Sequence, residues 1–570
     1  MNSCHFDLQK TNLATNPGCL KLFLALVEQN LTVRQGSSQL AEWKGVNSLT
    51  ATISCRDATA LMASDSLYAI LDIRERGEFN ARQIANATSL PRSQIEFRIA
   101  ELVPNSKIPL VVYDDGGKRA ELAAVTLARL GYSDVTVLGG GLPSWQEAAY
   151  PTVSGVNVPS KAFGERIHHE RGIPEISPEE VKRLKEKEAD LMILDMRTPE
   201  EYGRFCIPGA INVPGGDLVL WVSELKQKPE TTIVVNCAGR TRSIVGTAGL
   251  RRLGLDNVRA LKNGTMGWVL AGFELESKPA RQTAVASKIS REKATALALR
   301  LAEEERIPFI SAREVMSITK SADNGVMYVI DVRSETEYCS GHLPGALNVP
   351  GGQAVQRADD VIAVRNAKIV FVSNTSARAV MAAYWYRQMG FRAVAVLQGG
   401  LRAWKESGGS LARGVNRAEP LGCEAATKLV RFIDARALEE KLQKSRAVTL
   451  DVGTSLDFET AHVPGAYWIC RGWIELKLPE HLPERSQPIV LTCPDDRNSV
   501  LAAQALNGIG YTDVAVLHGG VKAWTSDGHR TETGLERCLV EANDVVLSPS
   551  IRGSKEEMQR YLNWEVKLQH

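Results

Sequence analysis

The sequence predicts an α/β protein made of four tandem copies of one unit, each a parallel sheet covered by helices on both faces. Three observations predict it. A short apolar strand ending in aspartate recurs as Ala69-Ile70-Leu71-Asp72, Met192-Ile193-Leu194-Asp195, Tyr328-Val329-Ile330-Asp331 and Val448-Thr449-Leu450-Asp451. Each aspartate is followed 73 residues later by a tryptophan (Trp145, Trp268, Trp404, Trp524), with a glycine four residues before it (Gly141, Gly264, Gly400, Gly520). A further glycine stands 59 residues after each aspartate, at Gly131, Gly254, Gly390 and Gly510. Offsets held constant in four copies identify a repeat. Within a copy, strand-like and helix-like segments alternate, which implies parallel strands joined by crossover helices.

Taken in order, residues 1–50 read as a short helical extension. The copies are expected at 51–158, 173–280, 307–412 and 425–533. The aspartates are 123, 136 and 120 residues apart, so length varies between copies and not inside them. Ile173-Pro174-Glu175-Ile176-Ser177 and Ile307-Pro308-Phe309-Ile310-Ser311 repeat one entry sequence, with Ser177 and Ser311 as helix caps. Residues 281–306 form a linker whose charged, alanine-rich part, 288–306, reads as a spacer helix packed between copies. Residues 408–424 are a glycine-rich linker. In the tail, 534–570, Ser554-Lys555-Glu556-Glu557 is a capping box opening a helix that runs through Trp564.

Composition narrows the function classes. The 570 residues carry a formal net charge of only +2 and no long basic block, which argues against nucleic acid or an anionic membrane as the main partner. No apolar run reaches the ~18 residues of a membrane span; the nearest, 19–27, is interrupted by Lys21, and no basic start marks a secretory leader. The ten cysteines (4, 19, 55, 206, 237, 339, 423, 470, 493, 538) include no close pair at ligand spacing. No metal or other cofactor is expected, and a reducing, cytoplasmic setting suits scattered free thiols.

In α/β sheets ligands bind beyond the carboxyl ends of strands, which directs attention to the loop after each central strand. The stretch Asn236-Cys237-Ala238-Gly239-Arg240-Thr241-Arg242-Ser243 stands out. A β-branched strand, 231–235, leads into it, and a small-residue helix, 244–253, leads out, closed by Gly254. Such a turn aims backbone N–H groups and the positive end of the helix at the sulfur. A free thiol titrates near ~8.5, and helix N-termini and neighbouring cations lower that value. The expectation is a thiolate nucleophile beside an anion-binding loop; the alternative is a structural cysteine in a glycine turn.

These residues together resemble the rhodanese (sulfurtransferase) superfamily over residues 53–531. In the second copy the matching pieces are Leu194-Asp195-Met196-Arg197, Glu201-Tyr202, Ile207-Pro208-Gly209-Ala210, Cys237 through Ser243, and Asn263-Gly264 before Trp268. The resemblance implies a five-stranded parallel sheet flanked by helices in each copy. It also implies transfer of a sulfane sulfur from a donor such as thiosulfate to a thiophilic acceptor through a cysteine persulfide. Cys237 matches the persulfide cysteine and 238–242 the active-site loop. The second copy departs from the family at Cys206, where His342 and His462 stand in the third and fourth; Cys206 is either structural or a resolving thiol.

The catalytic position lies 42 residues after each aspartate and holds Asp114, Cys237, Ser373 and Cys493. Asp114 cannot hold a persulfide, and Ser373 has no visible base to activate it. Arg119 and Arg378 keep the position of Arg242, as weak anion sites or structural arginines. The Cys493 loop carries Asp495 and Asp496, which disfavour a thiolate, while Asn498 replaces the arginine and Gly453 replaces Arg197. Cys493 is retained as a second candidate nucleophile. The series resembles a duplicated two-domain rhodanese in which an N-terminal unit without the cysteine supports a C-terminal one that has it.

The expected cycle is ping-pong. Cys237 takes the outer sulfur of thiosulfate, sulfite leaves, and cyanide or a thiol, including a protein thiol, accepts the sulfur. Ala238, Gly239, Arg240, Thr241, Arg242, Ser243 and Arg197 are the candidate substrate-binding residues, with Arg240 and Arg242 on the sulfonate. Arg197 and Glu201, four residues apart, read as an ion pair or as substrate contacts. The doubly cationic loop favours thiosulfate over 3-mercaptopyruvate. Phosphatases of related fold place five residues between cysteine and arginine, against four here, so a phosphatase-like enzyme is the lesser reading. A sulfur-carrier or regulatory scaffold with degenerate copies is the non-enzymatic one.

Overall fold

A computed structural model describes residues 50–570 apart from 282, 321–324, 416–418, 445 and 570; the expected extension at 1–50 falls almost wholly outside the described residues. Four five-stranded parallel sheets repeat one topology. In the second unit the spatial order is Ile211–Asn212, Leu191–Asp195, Thr232–Asn236, Val258–Leu261 and Glu175–Ile176, every neighbouring pair parallel. Helices cover both faces, so the strands are buried apolar runs, as parallel sheets require. The strand and helix around Cys237 are Thr232–Asn236 and Thr241–Arg252, shifted slightly from the expected 231–235 and 244–253 because the loop residues Thr241 and Arg242 already form the first helical turn.

The repeat offsets have physical causes. Each glycine four residues before the tryptophan has a positive φ, 60°, 56°, 58° and 61° in chain order. A Cβ at Gly264 would lie 2.3 Å from the carbonyl oxygen of Cys237; at Gly141, Gly400 and Gly520 it would lie 2.6, 2.3 and 2.1 Å from the carbonyls of Asp114, Ser373 and Cys493. The glycine therefore lets a helix start directly beneath the functional loop. Each tryptophan indole N–H closes its helix onto a carbonyl six residues on, from Trp268 to Glu274 at 2.9 Å and likewise from Trp145, Trp404 and Trp524. Each glycine 59 residues after the aspartate has a φ of 86–97°, a left-handed helix stop.

The units are joined by buried contacts. One apolar cluster runs through the first three units, while the fourth has its own. Helix Lys288–Glu304 packs between Leu218–Leu225 of the second unit and Ser376–Gln388 of the third, the expected spacer. Helix Val158–Arg171, leading out of the first unit, lies along Thr241–Arg252. The fourth unit meets the first through the ion pairs Arg471–Glu96 and Arg92–Glu475, with the Arg119 guanidinium 3.8 Å above the Trp473 ring. Ser177 caps its helix by accepting from the Glu180 N–H, and Ser311 does the same for Glu314. Among the described residues no helix is long and apolar enough to cross a membrane.

Adding a methyl group at Gly264 forces both backbone strain and a carbonyl clash, whereas a Cβ at Gly254 meets only the flexible Lys226 side chain. Gly264→Ala should cost about 2–4 kcal/mol and Gly254→Ala about 1 kcal/mol. Thermal unfolding of the two variants tests this, Gly264→Ala losing clearly more midpoint temperature.

Candidate active site at the Cys237 loop

The loop begins where strand Thr232–Asn236 ends beside Asp195. Asn236 donates to the Asp195 carboxylate at 3.0 Å, tying the two central strand ends together. The Cys237 carbonyl accepts from the N–H of Thr265 at 2.8 Å and the Ala238 carbonyl from that of Met266 at 3.1 Å, so the glycine-started helix holds the loop from below. The Cys237 sulfur then faces the start of helix Thr241–Arg252, accepting the Ser243 N–H at 3.3 Å with the Ser243 hydroxyl 3.5 Å away. That hydroxyl is fixed by donating to the Arg240 carbonyl at 2.8 Å.

The two arginines are placed differently from expectation. Arg240 turns its guanidinium to Glu165 on the inter-unit helix, with two hydrogen bonds of 2.6 and 2.9 Å, and reaches Glu175 and Asn263 at 3.2 Å each. Arg242 forms a two-point pair with Glu201 at 2.7 and 2.8 Å. Arg197 pairs not with Glu201 but with Asp195, at 2.7 Å, and also donates to the Phe205 carbonyl. Arg197 thus braces the acidic turn and is spent inside the domain, a correction to its assignment as a substrate contact. The cause is register: residue 197 follows the strand end immediately and folds back on it, while Glu201 sits a helical turn later, opposite Arg242.

The repeats show that this arginine–glutamate pair is architectural as well as local. Arg119–Glu78 and Arg378–Glu337 reproduce it in the first and third units, where the cysteine is absent. Of the two loop cations, Arg242 is the one that acts on Cys237. Burial pushes the Cys237 thiol up, Arg242 and the Ser243 hydrogen bonds pull it down, and Glu565 pushes it up again. The net direction is upward, so the thiolate expected from the sequence is not favoured in this arrangement.

Its cause is a cover that the sequence did not reveal. Helix Lys555–Val566 lies across the loop, and Cys237 is only 2% exposed. The Glu565 carboxylate accepts the Thr241 N–H at 3.1 Å and the Thr241 hydroxyl. Met558 and Leu562 pack on Met266, with Tyr561 beside them. The capping box announced this helix, yet nothing in its sequence says which surface it covers.

The other loops differ in ways that follow from their residues. Asp114 folds its carboxylate back onto its own loop, accepting the N–H groups of Gly116 at 2.8 Å and Ala120 at 3.0 Å. The Ser373 hydroxyl donates to the Thr375 carbonyl. Cys493 accepts the Ser499 N–H at 3.4 Å, but its thiol is pushed up to about 11, chiefly by burial, with Asp451 adding to the rise. Arg497 pairs with Asp495 at 2.6 Å, and Asn498 engages Arg471. Cys206 is buried beside Glu276 and Arg281 on an antiparallel pair with 276–277, where His342 and His462 stack on Tyr338 and Phe458 in their own units. Its polar neighbours are none of those around Cys237.

Glu201 titrates near about 2, because Arg242 outweighs the effect of burial. A carboxylate with a depressed folded value stabilises fully above its unfolded value near ~4.5 and loses that stabilisation as pH falls through the folded value. Glu201→Gln should therefore cost on the order of 2–3 kcal/mol at pH 7. Unfolding of both proteins across pH 7 to 3 should show the gap narrowing below pH ~4.5.

Comparison with known proteins matches the geometry. A family model described as the rhodanese-like domain matches residues 55–148, 177–271, 313–407 and 434–527, about two thirds of the chain. The crystal structure of a thiosulfate sulfurtransferase from Pseudomonas aeruginosa is 37% identical and superposes with a TM-score of 0.84, covering 91% of this chain and 97% of that one. Thiosulfate sulfurtransferase PspE of Escherichia coli K12 is 28% identical over 101 residues, 17% of this chain and 93% of that protein. The Bacillus subtilis protein YrkF is 32% identical over 96 residues, 17% of this chain and about half (51%) of that protein's length. Four matched segments, four sheets of one topology and a cysteine at the head of two of the loops lead to a single conclusion: this chain belongs to the rhodanese family, with four rhodanese-like domains in tandem.

Proposed function

We propose that the protein is a thiosulfate sulfurtransferase that carries sulfur as a persulfide on Cys237, in a functional unit at 173–280 framed by supporting units at 51–158, 307–412 and 425–533. The fold and the sulfurtransferases among its relatives support sulfurtransferase chemistry in general. One observation carries the assignment to Cys237: of the four loops, this one alone joins a cysteine to a helix-start N–H and to an arginine that lowers the thiol's pKa. Cys493 has the N–H without the arginine, so it is left out of the cycle.

The Cys237 thiolate attacks the outer sulfur of thiosulfate. A new S–S bond forms, the S–S bond of the donor breaks, and its electron pair leaves with sulfite. An acceptor thiolate or cyanide then attacks the outer sulfur of the persulfide, and Cys237 leaves as thiolate. Loop N–H groups from 238–243 cradle the transferred sulfur, and Arg242 supplies positive charge next to it. A charge-assisted contact of this kind is worth about 1.5–3 kcal/mol. Arg240, held by Glu165 and Glu175, fixes the loop. The described cysteines are all unpaired, which fits a reducing cytoplasm.

A sulfur-carrier role is the second reading, favoured by the burial of Cys237 under the C-terminal helix. Cys237→Ser should abolish transfer from thiosulfate to cyanide, whereas Cys493→Ser should leave it within about twofold. Retained turnover in Cys237→Ser overturns the assignment. A wild-type protein that takes up one sulfur but does not turn over establishes the carrier reading instead.

A further inference from the structure

Glu565 occupies a place that the sulfurtransferase reading reserves for a substrate. Its carboxylate sits on the first N–H of the twelve-residue helix Thr241–Arg252 and on the Thr241 hydroxyl, four residues from Cys237. Helix starts bind anions through such groups. Two buried polar atoms on or against the covering helix have no hydrogen-bond partner among the described residues. One is the second oxygen of Glu565, 3.3 Å from where a Cβ on Gly239 would be; the other is the ammonium of Lys161. Lys161 is 2% exposed and lies 4.6 and 4.8 Å from the Tyr561 and Trp564 ring centres on the covering helix. Burial draws its pKa down to about 8, while Glu565 is the largest influence acting the other way. The buried ammonium feels the carboxylates of Glu565 and Asp359 but donates a hydrogen bond to neither, so it lacks the direct anion contact that its charge calls for.

Resting on the assignment of Cys237, we propose that Glu565 holds the seat of the donor's oxyanion, so that the C-terminal helix must lift before a donor such as thiosulfate can bind. The seat consists of the Thr241 N–H and hydroxyl, with Lys161 as a further donor-binding cation. The helix is built to come and go. The buried apolar cluster that attaches it is small, with Met558 and Leu562 on Met266 and partly buried neighbours. The helix is also held by the indole N–H of Trp564 on the Ser154 carbonyl at 3.1 Å, by the Trp564 ring seated on Gly155, by Lys161 against the Tyr561 and Trp564 rings, and by Glu565. When docked it buries the sulfur and sets a carboxylate beside it, both of which keep the thiol protonated. Lifting removes both effects at once, so arrival of the donor and activation of the nucleophile are coupled.

Alkylation of Cys237 in the full-length protein separates this inference from the activity. Iodoacetate is anionic and iodoacetamide neutral, so the ratio of their rates cancels changes in thiolate content. Mass spectrometry of the peptide containing Cys237 gives both rates. Glu565→Gln should raise the iodoacetate-to-iodoacetamide ratio about tenfold and lower the KM for thiosulfate. Leu562→Asp, which loosens the helix, should raise both alkylation rates. Adding Lys161→Met to Glu565→Gln should return the ratio toward the wild-type value. An unchanged ratio in Glu565→Gln, or unchanged rates in Leu562→Asp, overturns the inference. If the ratios move as stated while no variant transfers sulfur, the gate stands and the catalytic assignment falls.

Discussion

Everything at these four sites depends on one piece of backbone geometry: a parallel strand that turns directly into a helix and sets the first side chain of the loop at the helix start. Unsatisfied backbone donors are costly when buried, so a side chain that accepts from the helix start is favoured there. Asp114 fills that place with its own carboxylate in the first unit, and Cys237 and Cys493 fill it with sulfur in the second and fourth. The glycine beneath the loop, the indole closure behind it and the Asp–Arg brace at the neighbouring strand end all serve that geometry.

The ion pairs divide into those that make the fold and those that tune the site. Asp–Arg pairs at the strand ends (72–74, 195–197, 331–333) appear whether or not a cysteine follows. The fourth unit, with Gly453 in place of the arginine, leaves Asp451 buried without it, its carboxyl pushed up to about 7. The second set, joining each loop arginine to a glutamate a helical turn past the strand, also recurs without the nucleophile. Only in the second unit does that arginine lower a thiol. The first three copies keep both sets of pairs, and of these only the second sets a cysteine among them.

Much of this was legible in the sequence because the frame is local and periodic. Constant offsets of glycine, aspartate and tryptophan report contacts made within one unit, and four copies made them visible. The position 42 residues after each aspartate and the loop that follows it could be read for the same reason. What could not be read were contacts between distant segments. Glu165 reaches Arg240 from the helix between units, and Glu565 reaches Thr241 from the far end of the chain. Arg240 looked like a substrate ligand because its partner lies 75 residues away. Arg197 and Glu201 looked like partners because helical spacing is a local rule, whereas their actual partners, Asp195 and Arg242, are set by how the two central strand ends meet.

On the proposed function, one sulfur in this chain, at Cys237, accepts a sulfane sulfur. Peptide mapping of the intact protein after brief exposure to thiosulfate tests it most directly. A single added sulfur, confined to the peptide containing Cys237, is the expected result. An added sulfur on Cys493, or none anywhere while transfer proceeds, would contradict it.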